Sequence, residues 1–156
     1  MIRNDILTIL LLAGVMQAAL AQSSEPNLGC ISPERLGCGC QIRLIGQSYP
    51  DSRHQPHLFT ELDADAPLLL VMDGQEILLP HHQHIGAANK GDNPGRFSDI
   101  FANPELMIRI DFSPAASTCP KDTLDGCEYT DVRASILLQW PDGRSKQLEG
   151  HGACGC

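Results

Sequence analysis

The sequence predicts one all-β domain, a single small antiparallel sandwich or barrel of about seven strands that disulfide bonds crosslink. Three observations support this fold class. Several segments alternate apolar and polar residues with a period of two, and two short turn motifs join such segments in a consistent register. In addition, seven cysteines stand in a chain that begins with an export signal, a combination typical of disulfide-linked domains.

Residues 1–21 have the three parts of a secretory signal peptide. A short polar start precedes an apolar run over residues 6–16, and Ala19 and Ala21 are the small residues that a signal peptidase reads. The run is too short to cross a bilayer, which needs about 20 apolar residues. We therefore expect cleavage after Ala21, a periplasmic or secreted domain over residues 22–156, and no stable membrane insertion.

Period-two alternation locates the strands. On one segment Ile136 and Leu138 share an apolar face while Ser135 and Gln139 share the polar one, as in a strand with one buried side. A continuous apolar run instead predicts a strand that is covered on both faces. The expected strands lie near residues 38–46, 57–62, 67–72, 75–80, 106–112, 129–140 and 145–156.

The segments between these strands hold most of the turn-forming residues. Two long connections are expected, over residues 81–105 and 113–128, because Gly, Pro, Asn and Asp concentrate there. Within the first, residues 97–101 could form a single helical turn at most. Neither connection splits the mature chain, so the remaining residues are expected to form one domain.

Two turns fix the register of their hairpins. Asp73-Gly74 suits a two-residue type I′ turn, which places Met72 opposite Gln75. Pro141-Asp142-Gly143 suits a three-residue loop, because Pro favours the second turn position and Gly the left-handed one. That loop places Ile136 opposite Leu148, and the apolar faces of both strands then coincide.

The same alternation places four cysteines on the inner face. Cys38 and Cys40 share the parity of Ile42 on the first strand, and Cys154 and Cys156 share that of Leu148 on the last. We therefore predict that at least one of the first pair is bonded to one of the second. The competing interpretation is a metal site of four thiolates, but an oxidising compartment and the narrow Cys-x-Cys spacing favour disulfides.

The other cysteines are expected to form local bridges. Cys119 and Cys127 bracket seven residues and are predicted to be bonded to each other. Cys30 and Cys38 have the same spacing, so a bridge between them competes with a cross-sheet bond of Cys38. One thiol is left over in either arrangement, since seven is odd.

Histidines are the main candidates for metal ligands. His81, His82 and His84 follow a predicted strand and could hold Cu or Zn loosely, although exposed imidazoles in a polar loop are the interpretation that we favour. His57 is expected beside Met72, which alone would be a thin site. The acidic residues do not reproduce a calcium-loop pattern and are typical of turns.

The composition excludes some classes of function but does not identify the function. The net charge of −8 and the scarcity of aromatic residues argue against nucleic-acid binding. No nucleophile elbow, zinc-protease motif or phosphate loop is present, so we expect a non-catalytic protein without a cofactor.

The leading hypothesis is a binding protein whose long loops meet a protein partner, and its acidity predicts a basic partner. The alternative is a Cu- or Zn-binding protein that uses the histidines or the Cys-x-Cys pairs.

The general plan of a small, exported, acidic and disulfide-linked β-domain is similar to that of exported inhibitors and immunity proteins that block cell-wall hydrolases. The similarity concerns the plan alone, because no motif of such a family occurs here. It implies an inhibitory or protective role for the predicted binding surface.

Overall fold

The computed structural model describes residues 25–46, 55–86, 95–115 and 129–155, and all regular structure in these ranges is β apart from one short 3₁₀ turn, Pro33–Arg35. The strands are β1 (Leu28–Gly29), β2 (Gly39–Leu44), β3 (Leu58–Glu61), β4 (Leu68–Met72), β5 (Gln75–Leu79), β6 (His81–Ile85), β7 (Phe97–Ala102), β8 (Met107–Pro114), β9 (Tyr129–Gln139) and β10 (Ser145–Gly155). Within these ranges no helix is long and apolar enough to cross a membrane. The predicted signal over residues 1–21 lies outside the described residues.

All these strands belong to one antiparallel sheet that consists of two meanders. β2 to β5 form the first and β6 to β10 form the second. The meanders meet where β2 pairs with β10. The other ends of the two meanders, β5 and β6, are consecutive along the chain and separated only by Pro80. Because the edges of the sheet are joined in this way, the sheet curls into a half-barrel.

Both predicted hairpins are confirmed with their register. Met72 is opposite Gln75, and both turn residues, Asp73 and Gly74, have positive φ angles of 52° and 79°, as a type I′ turn requires. At the second hairpin Leu148 is opposite Ile136. The Trp140 N–H there donates to the Arg144 carbonyl oxygen at 2.9 Å, which closes the three-residue loop.

The core fills the concave side of the curled sheet. Strands from both meanders contribute to it, and its side chains are at most 7% exposed. A smaller cluster lies on the convex side, where Ile31 covers Phe59 and Leu69. β4 is therefore buried on both faces, as its continuous apolar run predicted. The largest fully buried core side chains are Phe101, Phe112, Ile42, Leu58, Leu68, Leu70, Leu79, Ile108, Ile110, Ile136 and Leu138.

Three parts of the fold prediction need correction. The described residues contain ten strands, the seven expected and three more, in a single curled sheet in place of a sandwich or a closed barrel. The expected connection over 81–105 contains β6 and β7, and residues 97–101 lie in a strand and form no helical turn. The third addition, β1, pairs with two residues of β4. The expected connection over 113–128 lies largely outside the described residues.

Candidate functional site

A bulge in β6 brings two histidines to the same face of the sheet. His81 is opposite Phe101 and Gln83 is opposite Ile100, so two steps along β6 match one step along β7. Without the extra residue, positions 81 and 84 would point to opposite faces because side chains alternate along a strand. With it, His84 is opposite Asp99, and both histidines face the concave side.

The two imidazoles converge on one carboxylate oxygen. His81 Nε2 lies 3.3 Å and His84 Nδ1 lies 2.7 Å from Asp99 Oδ1. The side chains of His81, Asp99 and His84 are 11%, 14% and 35% exposed. A neutral imidazole can carry its proton on either nitrogen, so both rings can donate to the carboxylate without being charged. We call these three residues the His–Asp–His cluster.

Aromatic rings surround the cluster. Asp99 lies between Phe97 and Phe101 on the inner face of β7 and opposite Ile110 of β8. The His81 ring contacts Phe101 edge-on at 5.4 Å between centroids, and the His84 ring lies 5.7 Å from Phe97. A carboxylate in such apolar surroundings is costly unless it is hydrogen-bonded, and the two imidazoles supply those bonds. The cluster is therefore a polar site at the edge of an apolar interior.

Sequence reasoning found only part of this cluster. It singled out His81, His82 and His84, but the structure places His82 at the bulge as an exposed residue that takes no part in the contact with Asp99. Asp99 was missed. The available signal was the spacing of Phe97, Asp99 and Phe101 by two, which marks a carboxylate within the inner-facing row of a strand.

The strands β2 and β10 are joined covalently as well as by hydrogen bonds. Cys40 and Cys154 are opposite each other and form a disulfide with Cα atoms 4.0 Å apart and a sequence separation of 114 residues. The predicted cross-sheet bond is thus confirmed. Cys38 is also disulfide-bonded. Cys119, Cys127 and Cys156 lie outside the described residues.

These bonds remove two alternatives that the sequence left open. The proposed four-thiolate metal site needed Cys38, Cys40 and Cys154 as thiolates, and all three are oxidised. The competing Cys30–Cys38 bridge is also wrong, because Cys30 is a thiol.

Cys30 and His57 form a second polar contact, but one unsuited to nucleophilic catalysis. The Leu44 N–H donates to His57 Nδ1 at 3.1 Å, so the neutral ring carries its proton on Nε2, which faces Cys30 Sγ at 3.7 Å. Burial lowers the pKa of His57, and the positive charge of Arg43 lowers it further. A neutral imidazole with its proton on Nε2 cannot accept the thiol proton there, so the pair is not a nucleophile and base.

The turn between β3 and β4 is the most exposed acidic segment of this meander. Residues 61–65 are all exposed, and they carry the carboxylates of Glu61, Asp63 and Asp65 around Leu62, whose side chain is 55% exposed. In the described part of the chain, no Lys or Arg forms an ion pair with these three carboxylates. We call this segment the acidic turn.

Within residues 25–46, 55–86, 95–115 and 129–155, no group of three or more His, Cys, Asp or Glu side chains could hold a metal ion. The imidazoles of the His–Asp–His cluster are hydrogen-bonded to the carboxylate instead. Comparison of the chain with protein-family models, with curated proteins and with solved structures finds no match.

Proposed function

We propose that this chain is an exported, non-catalytic binding protein that recognises a protein partner with a basic surface. The observation that carries the proposal is the acidic turn, which presents three carboxylates and one exposed leucine and forms no ion pair with a Lys or Arg of the described residues. Charge of this kind speeds the approach of an oppositely charged partner, and an apolar side chain at its centre can supply the buried anchor.

The interior of the protein supports a surface role. The concave side of the sheet is filled by apolar side chains that are at most 7% exposed, such as Ile108, Ile110 and Ile136. A small-molecule site needs a cavity with a few polar groups, whereas a packed core leaves the surface as the place for recognition. The disulfide Cys40–Cys154 adds support for export, because such bonds persist in oxidising compartments.

Other acidic groups are used within the molecule. Glu76 pairs with Arg35, with 3.4 Å between carboxylate oxygen and guanidinium nitrogen, and Glu25 pairs with Lys146 at 2.6 Å. The acidic turn differs because none of its carboxylates is paired with a Lys or Arg in the part of the chain that the structure describes. A periplasmic or secreted inhibitor or immunity protein is the narrower form of this proposal, since such proteins block a partner by surface contact.

A charge-matched pair of variants tests the proposal. The mature protein is immobilised and incubated with the exported protein fraction of its own host, and bound proteins are quantified by mass spectrometry. In the first variant the acidic turn is neutralised by E61Q, D63N and D65N. In the control, E34Q, E105Q and E149Q remove the same charge elsewhere on the surface.

We expect the wild type and the control to retain one partner of basic pI in near-stoichiometric amount, and the acidic-turn variant to lose at least about tenfold of its affinity. Binding should also weaken as salt is raised, because exposed charges are screened beyond about 10 Å at 0.1 M. Equal retention by all three proteins, or a partner whose binding is indifferent to salt, would contradict the proposal.

A further inference from the structure

We propose that a row of basic side chains on the convex face of the sheet, Arg133, His151 and Arg43, binds the phosphate group of a small phosphorylated molecule. The three residues are directly opposite one another on the adjacent strands β9, β10 and β2, since His151 pairs with Arg133 on one side and with Arg43 on the other. We call them the basic row. It lies apart from the acidic turn, and its ligand is independent of partner binding.

The side chains of the basic row point away from the core. Ile42 and Leu44 flank Arg43 along β2, and both are buried in the core on the concave side. Because side chains alternate between the two faces of a strand, Arg43 projects from the convex face, and the residues opposite it share that face. Arg133 and His151 are exposed, and Arg43 is partly buried. The row is therefore accessible to a ligand from solvent.

The spacing of the row fits one tetrahedral anion. Neighbouring strands lie about 4.8 Å apart, so the Cα atoms of Arg133 and Arg43 are separated by about 10 Å, with His151 between them. Two long side chains at this separation can direct their guanidinium groups inward over the imidazole, and each guanidinium can donate two parallel hydrogen bonds to phosphate oxygens. Ser113, opposite Arg133 on β8, adds a hydroxyl that can donate to a further oxygen. The row thus offers donors on both sides of a single phosphate group.

Such a row is costly to the fold in the absence of an anion. A protonated His151 has a guanidinium directly opposite it on each side, and like charges in this position reduce the stability of a sheet. Elsewhere on the surface Arg35, Arg109 and Arg144 each form an ion pair with a carboxylate. Arg133 forms no such pair with a carboxylate of the described residues. A bound phosphate supplies the negative charge that the neighbours of Arg133 do not provide.

The surroundings limit the ligand to a small molecule. Glu149 and Asp131 lie on the same face as the basic row, two residues from His151 and Arg133, which is about 7 Å along a strand. With the net charge of −8, these carboxylates repel an extended polyanion or an anionic membrane surface. One phosphate group on an otherwise neutral molecule occupies the row alone. The ligand is therefore a compact phosphate ester, such as a phosphorylated sugar or polyol.

Titration of the mature, disulfide-bonded protein with inorganic phosphate and with glycerol phosphate tests the proposal, with backbone amide chemical shifts recorded at constant ionic strength. R133Q removes one guanidinium from an exposed position, and R43Q/R133Q removes both. R109Q is the matched control, because it removes the same charge from the same face of β8 outside the row. Sedimentation with vesicles that contain an anionic phospholipid distinguishes a small phosphate ester from a lipid headgroup.

We expect saturable shifts at the amides of β2, β9 and β10 in the wild type. R109Q should bind glycerol phosphate within about twofold of the wild type, since exposed charges outside the site are screened by salt. R133Q should bind at least about tenfold more weakly, because a hydrogen bond to a charged group contributes about a factor of ten or more to an equilibrium constant. R43Q/R133Q should show no saturation.

Equal affinity of the wild type and R133Q, shifts confined to strands outside the basic row, or binding to the vesicles without binding to glycerol phosphate would overturn the proposal. The variant with a neutralised acidic turn should still bind glycerol phosphate, and R133Q should still capture the protein partner. Failure of this inference is therefore distinguishable from failure of the proposed function.

Discussion

Replacement of Gly152 by alanine tests whether close approach of β2 and β10 holds the two meanders together. Gly152 is opposite Ile42 in this pairing. A Cβ at position 152 would lie 1.8 Å from the carbonyl oxygen of Gln41, whereas real Cβ atoms essentially never come within 3.0 Å of another atom. The obstacle is backbone, so no side-chain rotation relieves it, and the strands must separate by about 1.2 Å.

The free-energy cost of separating the strands follows from the backbone hydrogen bonds between β2 and β10. A displacement of this size disrupts two or three backbone hydrogen bonds between β2 and β10, and each buried group left without a partner costs about 1–3 kcal/mol. We therefore expect G152A to lower the free energy of unfolding by about 3–5 kcal/mol, which is a large part of the stability of a small domain.

Urea unfolding of the mature, oxidised protein measures this effect, followed by the fluorescence of Trp140. G37A is the matched control, because a Cβ there meets nothing within 4 Å and Gly37 has no positive φ. G37A should leave the free energy of unfolding unchanged or raise it by up to about 1 kcal/mol, because alanine reduces the conformational entropy of the unfolded chain. A G152A protein as stable as G37A would refute the reasoning, since the strands would then tolerate wider spacing.

Three further predictions concern crosslinking, pH and processing. Replacing Cys40 and Cys154 by alanine should lower the free energy of unfolding by up to about 5 kcal/mol for a loop of 114 residues, and a loss below about 1 kcal/mol would show that the ladder alone holds these strands. Burial lowers the pKa of His57, so stability should fall as pH drops below about 6.5 towards that lowered pKa. H57N, which keeps an acceptor for the Leu44 N–H, should unfold in urea with a flatter pH dependence, and an unchanged slope would contradict the assignment. Intact-mass measurement of exported protein should find residues 1–21 removed, and their retention would exclude the predicted signal.

Local patterns were enough to predict the strands that have regular pairing and short turns. A short turn fixes the register of both hairpins, at Asp73-Gly74 and between β9 and β10. The pairing register of each was predicted correctly. Parity along β2 and β10 was also enough to predict a bond between one of Cys38 and Cys40 and one of Cys154 and Cys156, and the structure has it between Cys40 and Cys154. The hairpin registers depend on residues that are close in sequence. The faces on which the cysteines lie follow from the alternation of side chains along each strand.

The missed strand β6 depends on contacts that no local pattern contains. Pro80 has no N–H and reads as the end of a strand, but here it separates a segment that pairs with β4 from one that pairs with β7. β6 is rich in histidine and mostly exposed, so it lacks an apolar alternation. Its pairing with β7 is therefore set by the sheet and not by its own composition.

The His–Asp–His cluster could be predicted only in part for the same reason. Three histidines close in sequence suggested ligands, but the alternation of a regular strand would have placed His81 and His84 on opposite faces. The bulge that reverses this parity exists only in the pairing with β7, which also supplies Asp99. The contact of both histidines with Asp99 thus depends on the register between β6 and β7. Deletion of one residue at the bulge would place His81 and His84 on opposite faces of the sheet.

The position of the His–Asp–His cluster follows from how the sheet curls. β6 has one paired edge in the described residues, and its other end is fixed by Pro80 to β5 of the first meander. The Ala102 N–H donates to the Pro80 carbonyl oxygen at 3.0 Å, which fastens this corner to β7. Beyond the corner, the two contacts with Asp99 hold β6 against β7 from the concave side. The cluster therefore contributes to the docking of an edge strand against the rest of the sheet.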